Sequence, residues 1–477
     1  MAMIGRADEI LALERDLQKE EPQFVAVYGR RRIGKTFLIR EKFRDQFAFY
    51  HTGVRDGNQA EQLQAFQISL KQYGLRKCPR LRNWLDAFSR LYELIAQDGS
   101  FGRKVIFLDE LPWMDTPRSG MLKALEYFWN NLASVRREKD VFLVVCGSAT
   151  SWMIRNLVHN KGGLHNRLTD QIWLRPFTLR ECEAYAASLG LEMSRGEICE
   201  AYMIFGGVPY YWSLLRADRS LAQNIDELCF SPHGKLRDEF DYLYASLFRN
   251  PEPYLKVVEA LSGCKSGILR EELVDKTGIR NGGNFKAVLD NLVNCDFVRR
   301  YRARKKKNRE SFFQLIDNFT LFHYEFLTDG GTETGDFWTK QTETPKLCGW
   351  RGRAFERVCL LHERQIKAAL GISGIRTDAY SWRTHAEAPD RRGAQIDLVI
   401  ERTDGNVNLC EMKYASGEYA LSGDEAERLQ WRKTAFADET GVRKTLRLTL
   451  VTPVGIARNA HAGIVHNVVT LNDLFKE

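Results

Sequence analysis

The chain has 477 residues, of which 44% are hydrophobic and 28% charged, so it is long enough for several globular domains and too apolar to be disordered. Its 70 lysines and arginines exceed its 62 aspartates and glutamates by only +8, so total charge alone does not indicate a nucleic-acid partner. No uncharged stretch is long enough to cross a bilayer, no apolar signal region follows Met1, and the ten cysteines include no C-x-x-C pair. We therefore expect a cytoplasmic protein with reduced thiols and no membrane partner.

The first motif in the chain is a complete G-x-x-x-x-G-K-[ST] phosphate loop. It follows an apolar run at residues 24–28 and precedes a helix-like stretch at residues 36–43, as such a loop must. Backbone N–H groups of the loop can surround a β-phosphate, Lys35 can bridge the β- and γ-phosphates, and the Thr36 hydroxyl can hold Mg²⁺. The predicted nucleotide-binding residues of the loop are Gly29, Arg30, Arg31, Arg32, Ile33, Gly34, Lys35 and Thr36.

Two carboxylates follow the next strongly apolar run, at residues 105–108. Such a run is typical of a buried parallel strand whose C-terminal end opens onto the ligand crevice. We expect Asp109 to reach the Mg²⁺ shell, directly or through water, and Glu110 to orient or deprotonate the attacking water.

A third apolar run, at residues 141–146, ends in Gly147 and Ser148. A polar residue at that place can contact the γ-phosphate or the attacking water, so Ser148 is a further nucleotide-binding candidate. Arg167, which precedes another strand-like stretch, could supply positive charge to the transition state. The alternative for a lone arginine is an ordinary surface position.

Residues 176–249 are predicted to form a small helical lid, and residues 250–328 show a winged-helix pattern. The latter has three short helical segments, followed by strands at residues 297–298 and 311–315. The segment between these strands, residues 299–309, is densely basic, which favours an acidic partner such as DNA. A solvated loop tip and a protein-binding winged helix remain alternatives.

Glycine and threonine are frequent at residues 329–345, which we interpret as a linker to a last domain at residues 346–477. There, a helix carries Glu356, and two strands, residues 395–400 and 408–413, form a predicted hairpin in which Asp397 faces Glu411. Glu356, Asp397 and Glu411 can hold Mg²⁺ or Mn²⁺. Lys413 beside them can activate water or stabilise the negative charge of the pentavalent, phosphorane-like transition state. This chemistry suits phosphodiester hydrolysis, and the alternative is a strand edge with a salt bridge.

These motifs resemble two known families. The first part of the chain resembles archaeal-type AAA+/STAND-related ATPases through its opening stretch at residues 4–6, the phosphate loop, the carboxylate pair, Gly147-Ser148, Asn166-Arg167 and residues 206–209. The last domain resembles the PD-(D/E)xK restriction-endonuclease-like domain that is fused to those ATPases. The resemblance implies ATP hydrolysis, with Arg167 in the place of a γ-phosphate-sensing arginine. It also implies a nuclease-like fold whose motif positions are Glu356, Asp397, Glu411 and Lys413.

The expected architecture is therefore α/β: a P-loop NTPase parallel sheet in residues 1–175, the helical lid, the winged helix and a C-terminal α/β restriction-endonuclease-like domain. The leading hypothesis is an ATP-driven enzyme that binds DNA and cuts it with a metal ion. The alternative is a nucleotide-dependent switch or scaffold whose C-terminal domain binds DNA or protein without cutting. An ATP-gated toxic nuclease is compatible with the same residues. A homo-oligomer is possible, since Arg167 could act in its own subunit or across an interface.

Overall fold

The structure is a computed structural model, and it describes residues 3–44, 46–97, 102–136, 140–159, 162–164, 166–248, 250–264, 266–302, 311–328, 336–340, 344–384 and 393–476. The chain divides into two compact units, Met1–Arg175 and Pro176–Glu477. None of the helices in the described ranges is long and apolar enough to cross a membrane.

The first unit is built on a parallel sheet, which has five strands among the described residues. The strands are β1 (Gln23–Tyr28), β2 (Phe47–Thr52), β3 (Lys104–Asp109), β4 (Val141–Gly147) and β5 (Asp170–Trp173). Their order across the sheet is β2-β3-β4-β1-β5, and all the pairings are parallel. The predicted α/β fold with a parallel P-loop sheet is thus confirmed for this unit.

Helices cover both faces of this sheet. They are α1 (Ala7–Leu17), α2 (Lys35–Lys42), α3 (Gln59–Gln72), α4 (Trp84–Gln97), α5 (Leu111–Met114), α6 (Met121–Phe128) and α7 (Thr150–Met153), with π-helical turns at Trp129–Ala133 and Ile154–Val158. Every residue of β1, β3 and β4 is buried. Alternate residues of these strands enter separate apolar cores. In β1, Phe24 belongs to the core formed with α3, α4 and α6, and Val25 belongs to the core formed with α1 and α2. Burial on both faces explains why these strands are continuous apolar runs.

The second unit begins with helices, α8 (Leu179–Ser188), α9 (Arg195–Phe205), α10 (Pro209–Trp212), α11 (Leu221–Ile225) and α12 (Glu239–Leu247), and a π-helical turn at Asp226–Phe230. A helix–hairpin module, residues 252–315, follows. It consists of α13 (Glu252–Ser262), β6 (Ile268–Leu269), α14 (Arg270–Thr277), α15 (Gly283–Asn294), β7 (Val298–Arg302) and β8 (Ser311–Leu315). Its antiparallel sheet has the order β6-β8-β7. Most of the predicted basic segment, residues 303–309, lies outside the described residues.

The rest of this unit contains α16 (Asn318–Phe322), α17 (Phe337–Lys340), α18 (Pro345–Leu361) and α19 (Glu363–Ala369), with a π-helical turn at His323–Leu327. A mixed sheet follows, formed by β9 (Thr377–Thr384), β10 (Ala394–Arg402), β11 (Asn406–Met412), β12 (Thr445–Thr452) and β13 (Asn467–Thr470), with α20 (Gly423–Thr440), a 3₁₀ turn at Ala462–Ile464 and α21 (Leu471–Leu474). Its order is β13-β12-β11-β10-β9, with β9, β10 and β11 antiparallel and β11, β12 and β13 parallel.

One apolar core runs through the second unit, from Phe177 to Phe475, and joins the first helices to the inner face of the mixed sheet. A smaller core joins Tyr301 and Phe312 of the helix–hairpin module to Tyr380 and Trp382 of β9. The stretch that we interpreted as a linker contributes to the larger core, because Trp338 of α17 is buried there. Asp226 holds this helix by accepting hydrogen bonds from the backbone N–H groups of Trp338 and Thr339, at 2.6 and 2.9 Å.

Candidate functional site

The phosphate loop has the backbone shape that an anion-binding loop requires. Arg32 and Gly34 have positive φ angles of 70° and 87°, and left-handed residues set between ordinary ones turn successive N–H groups to the same side. Gly29, at φ 150°, passes so close to the neighbouring chain that a Cβ there would lie 2.2 Å from the Leu174 carbonyl oxygen. Arg32 is not a glycine, so the loop carries local strain of the kind found at functional sites.

Lys35 lies at the start of α2 and is buried. Its Nζ donates to the carbonyl oxygens of Gly29 and Arg30, at 3.0 and 2.9 Å. The ammonium is therefore held inside the loop, within reach of the place where the loop would hold phosphates. The Arg6 side chain braces the loop by donating to the Ile33 carbonyl at 3.0 Å and to that of Arg175 at 2.6 Å. Of the remaining loop residues, Arg30 is buried, and Arg31 and Arg32 are half-buried.

Thr36 and Asp109, the two residues predicted to hold Mg²⁺ at this site, are in direct contact. Thr36 Oγ1 donates to Asp109 Oδ2 at 2.9 Å. Burial raises the pKa of Asp109, and repulsion from Glu110 adds to this. A hydroxyl and a carboxylate side by side are ligands that suit Mg²⁺ beside a phosphate, and a cation there would offset the cost of burying Asp109.

Glu110 follows Asp109 in a left-handed conformation, with φ 46°. One of its carboxylate oxygens, Oε2, accepts hydrogen bonds from the backbone N–H and the hydroxyl of Ser148, at 3.0 and 2.9 Å. Ser148 follows β4, which lies between β1 and β3, so the sheet order brings the two residues together. In this state the Ser148 hydroxyl thus orients Glu110, whereas the sequence predicted a phosphate or water contact for it.

Arg167 lies in a turn between the Ile154–Val158 π-turn and β5, directly after the left-handed Asn166. The side chain is exposed, and the hydrogen bonds and ion pairs found among the described residues include none from its guanidinium. The role of Arg167 stays a prediction.

In the second unit, Asp397 lies on β10 and Glu411 on the neighbouring β11. Leu398 pairs with Cys410 in this antiparallel ladder, so Asp397 and Glu411 occupy the next facing positions, as the hairpin pattern predicts. Asp397 is buried, and its Oδ2 accepts a hydrogen bond from the backbone N–H of Met412 at 3.0 Å. Burial and the nearby Glu411 and Glu356 raise the pKa of Asp397 well above its usual range.

Glu411 is held by two cations. Lys413 Nζ lies 2.9 Å from Oε1, and Arg432 Nη1 of α20 lies 2.7 Å from Oε2. Burial lowers the pKa of Lys413, but attraction to Glu411 and Asp397 outweighs this effect, so the pKa is raised overall. The ammonium therefore stays positive at neutral pH.

Glu356 of α18 completes the group of acids. Burial raises its pKa; Arg357, at 3.7 Å, opposes this rise, and Glu411 adds to it. Oxygen ligands such as these carboxylates suit Mg²⁺ and Mn²⁺. In the residues described, however, no group of three His, Cys, Asp or Glu side chains is arranged so that it could hold a metal ion. The metal role of Glu356, Asp397 and Glu411 therefore stays a prediction.

Sequence reasoning missed three arginines at these sites. Arg6 braces the phosphate loop, Arg432 pairs with Glu411, and the buried Arg357 donates through Nε to the Leu315 carbonyl of β8 at 3.1 Å while lying beside Glu356. Arg432 is 21 residues from Glu411 on a different element, so no spacing rule could have linked them. Arg6 belongs to the opening stretch that carries part of the family resemblance, but that resemblance gave it no role.

Comparison with known proteins supports an ATPase assignment for the first part of the chain. Residues 3–215, less than half of the chain, match a family described as the ATPase domain predominantly from Archaea. The chain is also 23% identical over 326 residues to an uncharacterized protein of Methanocaldococcus jannaschii, a match that covers 68% of each chain.

Similar solved structures include the Walker-type ATPase of Pyrococcus abyssi, with a TM-score of 0.49 and 16% identity, over 68% of this chain and 96% of that one. The ORC2 protein of Aeropyrum pernix, in ADPNP–ADP complexes, aligns with a TM-score of 0.41 and 14% identity, over 67% and 91% of the two chains. The family match includes the phosphate loop, the carboxylate pair and Ser148, so this part of the chain is similar to an archaeal-type ATPase domain. The match ends before the helix–hairpin module and the C-terminal sheet.

Proposed function

We propose that the protein hydrolyses ATP and that its nucleotide site controls metal-dependent cleavage of DNA by the C-terminal sheet. The proposal of ATP hydrolysis rests on one arrangement of side chains. Thr36 contacts Asp109 beside a phosphate loop, and Ser148 holds the adjacent Glu110 in place. These are the parts that an in-line attack of water on a γ-phosphate requires.

In this proposal Lys35 leaves the carbonyls of Gly29 and Arg30 for the β- and γ-phosphates of ATP. Thr36 and Asp109 would hold Mg²⁺, which would neutralise charge on the transferred phosphoryl group. Glu110 orients the attacking water and accepts its proton, while Ser148 keeps the carboxylate oriented.

The ATPase half is tested by Lys35→Ala and Glu110→Gln. Lys35→Ala should lose ATP binding and hydrolysis, and Glu110→Gln should keep binding but lose hydrolysis by about 10²- to 10⁴-fold. Lys123→Ala, at an exposed position on α6, is the matched control and should behave as wild type. Hydrolysis at the wild-type rate in Lys35→Ala would refute the site assignment.

The cleavage half rests on the facing positions of Asp397 and Glu411, with Lys413 at 2.9 Å from Glu411. Asp397, Glu411 and Glu356 would hold Mg²⁺ or Mn²⁺, and the cation would polarise the scissile phosphate. Lys413 would stabilise the negative charge that builds up on that phosphate as water attacks.

Cleavage is tested on supercoiled plasmid and linear duplex, with Mg²⁺ or Mn²⁺ and with or without ATP. Asp397→Ala should abolish cutting, whereas Asp378→Ala, at an exposed acid on β9, should leave it intact. Lys35→Ala reports whether the nucleotide site controls cutting. Equal cutting by wild type and Asp397→Ala would refute the C-terminal site.

A second candidate function is favoured by the ion pairs around Glu411. Both carboxylate oxygens of Glu411 are paired with cationic side chains, those of Lys413 and Arg432. A domain that binds DNA or protein without cutting would have the same ion pairs. The protein would then be a nucleotide-dependent switch or scaffold. Intact ATPase activity with no cutting under any metal condition would select this function.

DNA binding through the helix–hairpin module is part of the proposal. Three helices with a β6-β8-β7 sheet support a winged helix. Arg280 is exposed just before α15 and Lys286 is exposed in its first turn, and Arg300 and Arg302 are exposed on β7. The double variant Arg280→Ala/Lys286→Ala should weaken duplex binding in anisotropy titrations and reduce the dependence of binding on salt concentration. An unchanged salt dependence would refute this surface.

Arg167 is proposed to sense the γ-phosphate. Because its side chain is exposed, Arg167 could contact ATP that is bound to a neighbouring subunit as well as ATP that is bound to its own subunit. Arg167→Ala should keep ATP binding and lose hydrolysis. If the arginine acts across an interface, mixing Arg167→Ala with Glu110→Gln should restore part of the activity, and light scattering should detect an oligomer with ATP. Wild-type hydrolysis in Arg167→Ala would exclude the role.

A further inference from the structure

The basic loop, residues 73–83, connects α3 to α4 and carries a dense set of positive charges that the proposed function does not use. Its exposed basic side chains are Arg76, Lys77, Arg80 and Arg82. Arg82 pairs with Asp86 at 2.8 Å. Within the described part of the chain, the charged groups of the other three form no ion pair or hydrogen bond. Like charges this close in sequence repel one another, and an anionic partner would offset that repulsion.

The basic loop is fixed by the core beneath it. Leu75, Cys78 and Leu81 are buried in the same apolar core as α3 and α4, so every third residue of the loop points inward. The Gln67 side chain of α3 donates to the carbonyl oxygens of Cys78 and Pro79, at 2.9 and 2.6 Å. The basic side chains occupy positions next to these anchors and face solvent. A surface that is already ordered loses little conformational entropy when it binds a partner.

The basic loop lies away from the catalytic end of the parallel sheet. The first turns of α3 hold the chain after β2, because Gln62 bonds to both the N–H and the carbonyl of Val54, at 2.9 and 2.6 Å. That chain approaches the nucleotide site, since a Cβ at Gly53 would lie 2.8 Å from the Glu110 carbonyl oxygen. The 14 residues of α3 then span about 21 Å before the basic loop begins. An anion bound by the loop is therefore not the ATP of the same site.

A row of positive charges along a non-helical stretch matches the regular row of phosphates along a nucleic-acid strand. Residues 76–82 span at most about 20 Å, which is the length of about six phosphates along one strand of a duplex. Three of the four basic residues are arginines, whose planar fork suits a phosphate. We propose that the basic loop binds the phosphate backbone of duplex DNA, in addition to the helix–hairpin module. This inference rests on the proposed DNA binding of the chain.

The test compares the wild-type full chain with Arg76→Ala/Lys77→Ala/Arg80→Ala, in EDTA and without nucleotide, so that no cleavage takes place. Fluorescence anisotropy with labelled duplexes of two unrelated sequences gives the affinity at several salt concentrations. The triple variant should bind both duplexes about tenfold to a hundredfold more weakly, and the slope of log affinity against log salt concentration should fall in magnitude by about 2–3. Both sequences should be affected equally, because phosphate contacts carry no sequence information.

Arg44→Ala/Lys123→Ala/Arg155→Ala is the matched control. It removes the same charge from three exposed positions on separate elements of the first unit, so it changes the net charge and leaves the basic loop intact. It should retain the wild-type salt dependence. If the alanine variant of the loop melts at a lower temperature than wild type, the corresponding triple glutamine variant takes its place, since glutamine keeps a long polar side chain without the charge.

The outcomes separate this inference from the proposed function. If wild type binds neither duplex, the proposed DNA binding and the role of the basic loop both fail. If wild type binds and the loop variant behaves like the control, the role of the loop is refuted and binding through the helix–hairpin module stands.

A lipid surface is the other anionic partner that the test distinguishes. Ile68 of α3 and Leu85 of α4 are each 50% exposed near the ends of the basic loop, and apolar side chains beside basic ones also suit an anionic membrane surface. Wild type and the loop variant are therefore sedimented with phosphatidylserine vesicles. Vesicle binding that is lost in the loop variant, with duplex binding unchanged, would overturn the assignment to DNA.

Discussion

Ser148 fixes the Glu110 carboxylate by donating two hydrogen bonds to one of its oxygens. Ser148→Ala removes the hydroxyl bond and keeps the one from the backbone. A single hydrogen bond to a charged group contributes about 1.5–3 kcal/mol, so we expect ATP hydrolysis to fall by about tenfold to a hundredfold while ATP affinity is unchanged. Steady-state hydrolysis and nucleotide titrations measure the two quantities, with Ser89→Ala at an exposed site on α4 as control. A loss of ATP affinity with unchanged turnover would instead assign Ser148 to phosphate binding.

His362 makes the second unit sensitive to acid. Its Nε2 accepts a hydrogen bond from the Leu179 N–H at 2.9 Å, and its Nδ1 lies 2.8 Å from the Val358 carbonyl, so the neutral ring fits and a second ring proton does not. Burial lowers the pKa of His362 to about 4. Because the folded pKa lies below the unfolded value, this contribution to stability is complete above about pH 6.5 and is lost as the pH falls toward 4, by about 3 kcal/mol in all.

The measurement is urea unfolding of wild type and His362→Gln between pH 4 and 8. Glutamine can accept the Leu179 bond but does not titrate. The variant should be less stable than wild type at pH 8, and its stability should fall less between pH 6.5 and 4.5. His51 and His323 also have a pKa lowered to about 4, so wild type and variant keep a shared pH dependence and only their difference reports on His362. Parallel pH profiles would contradict the prediction.

At the level of elements, the Gly206-Gly207 turn after α9 depends on close contact between backbones. A Cβ at Gly207 would lie 1.9 Å from the Phe177 carbonyl oxygen, and Phe177 N–H donates to the Gly207 carbonyl at 2.6 Å. Gly207→Ala should therefore lower the free energy of unfolding by about 2–4 kcal/mol. Gly196→Ala is the matched change on α9, where the nearest atom is 3.8 Å away, and it should raise stability by about 0.5–1 kcal/mol. Equal effects of the two substitutions would show that the turn can relax.

The elements that carry the sites differ in how far the sequence reveals them. β1, β3 and β4 are predictable because they are buried on both faces and are therefore continuous apolar runs. β6 has only two residues and β9 mixes polar and apolar side chains, so neither strand has a recognisable pattern in the sequence. The helix that carries Glu356 begins at Pro345 and is capped by Thr344. Its start is hard to predict from the sequence, because the glycines in its first turns suggest a break.

The same distinction holds for the site residues. The motifs predict Thr36 and Asp109 as ligands of Mg²⁺, and the strand order brings the two side chains into contact. The facing positions of Asp397 and Glu411 follow from the two-residue period of a hairpin. Arg432 could not be predicted, because only the packing of α20 on the sheet brings it to Glu411.

At the level of the whole molecule, the second unit is one compact unit in which the C-terminal sheet shares its apolar cores with the elements before it. Leu398 and Cys410 of the sheet belong to the same apolar core as Phe177 and the first helices, and Trp350 of α18 packs edge to face against Trp338. Tyr301 and Phe312 of the helix–hairpin module pack on β9 in the second core. A fragment cut at the predicted linker would therefore expose one side of both cores.

We expect fragment 176–477 to unfold in a single cooperative transition and fragment 346–477 to lack one. The exposed faces of Trp350, Tyr380 and Trp382 would leave the shorter fragment with secondary structure but without fixed packing, because its remaining core is too small to offset the chain entropy. Differential scanning calorimetry and near-ultraviolet circular dichroism measure this directly, with fragment 1–175 as an independent unit for comparison. A cooperative transition in fragment 346–477 would mean that the sheet is a domain in its own right. Some arginines of the helix–hairpin module reach the C-terminal sheet; Arg299, for example, donates to Ser381 Oγ at 3.2 Å. In that case these arginines would be dispensable for the fold of the sheet.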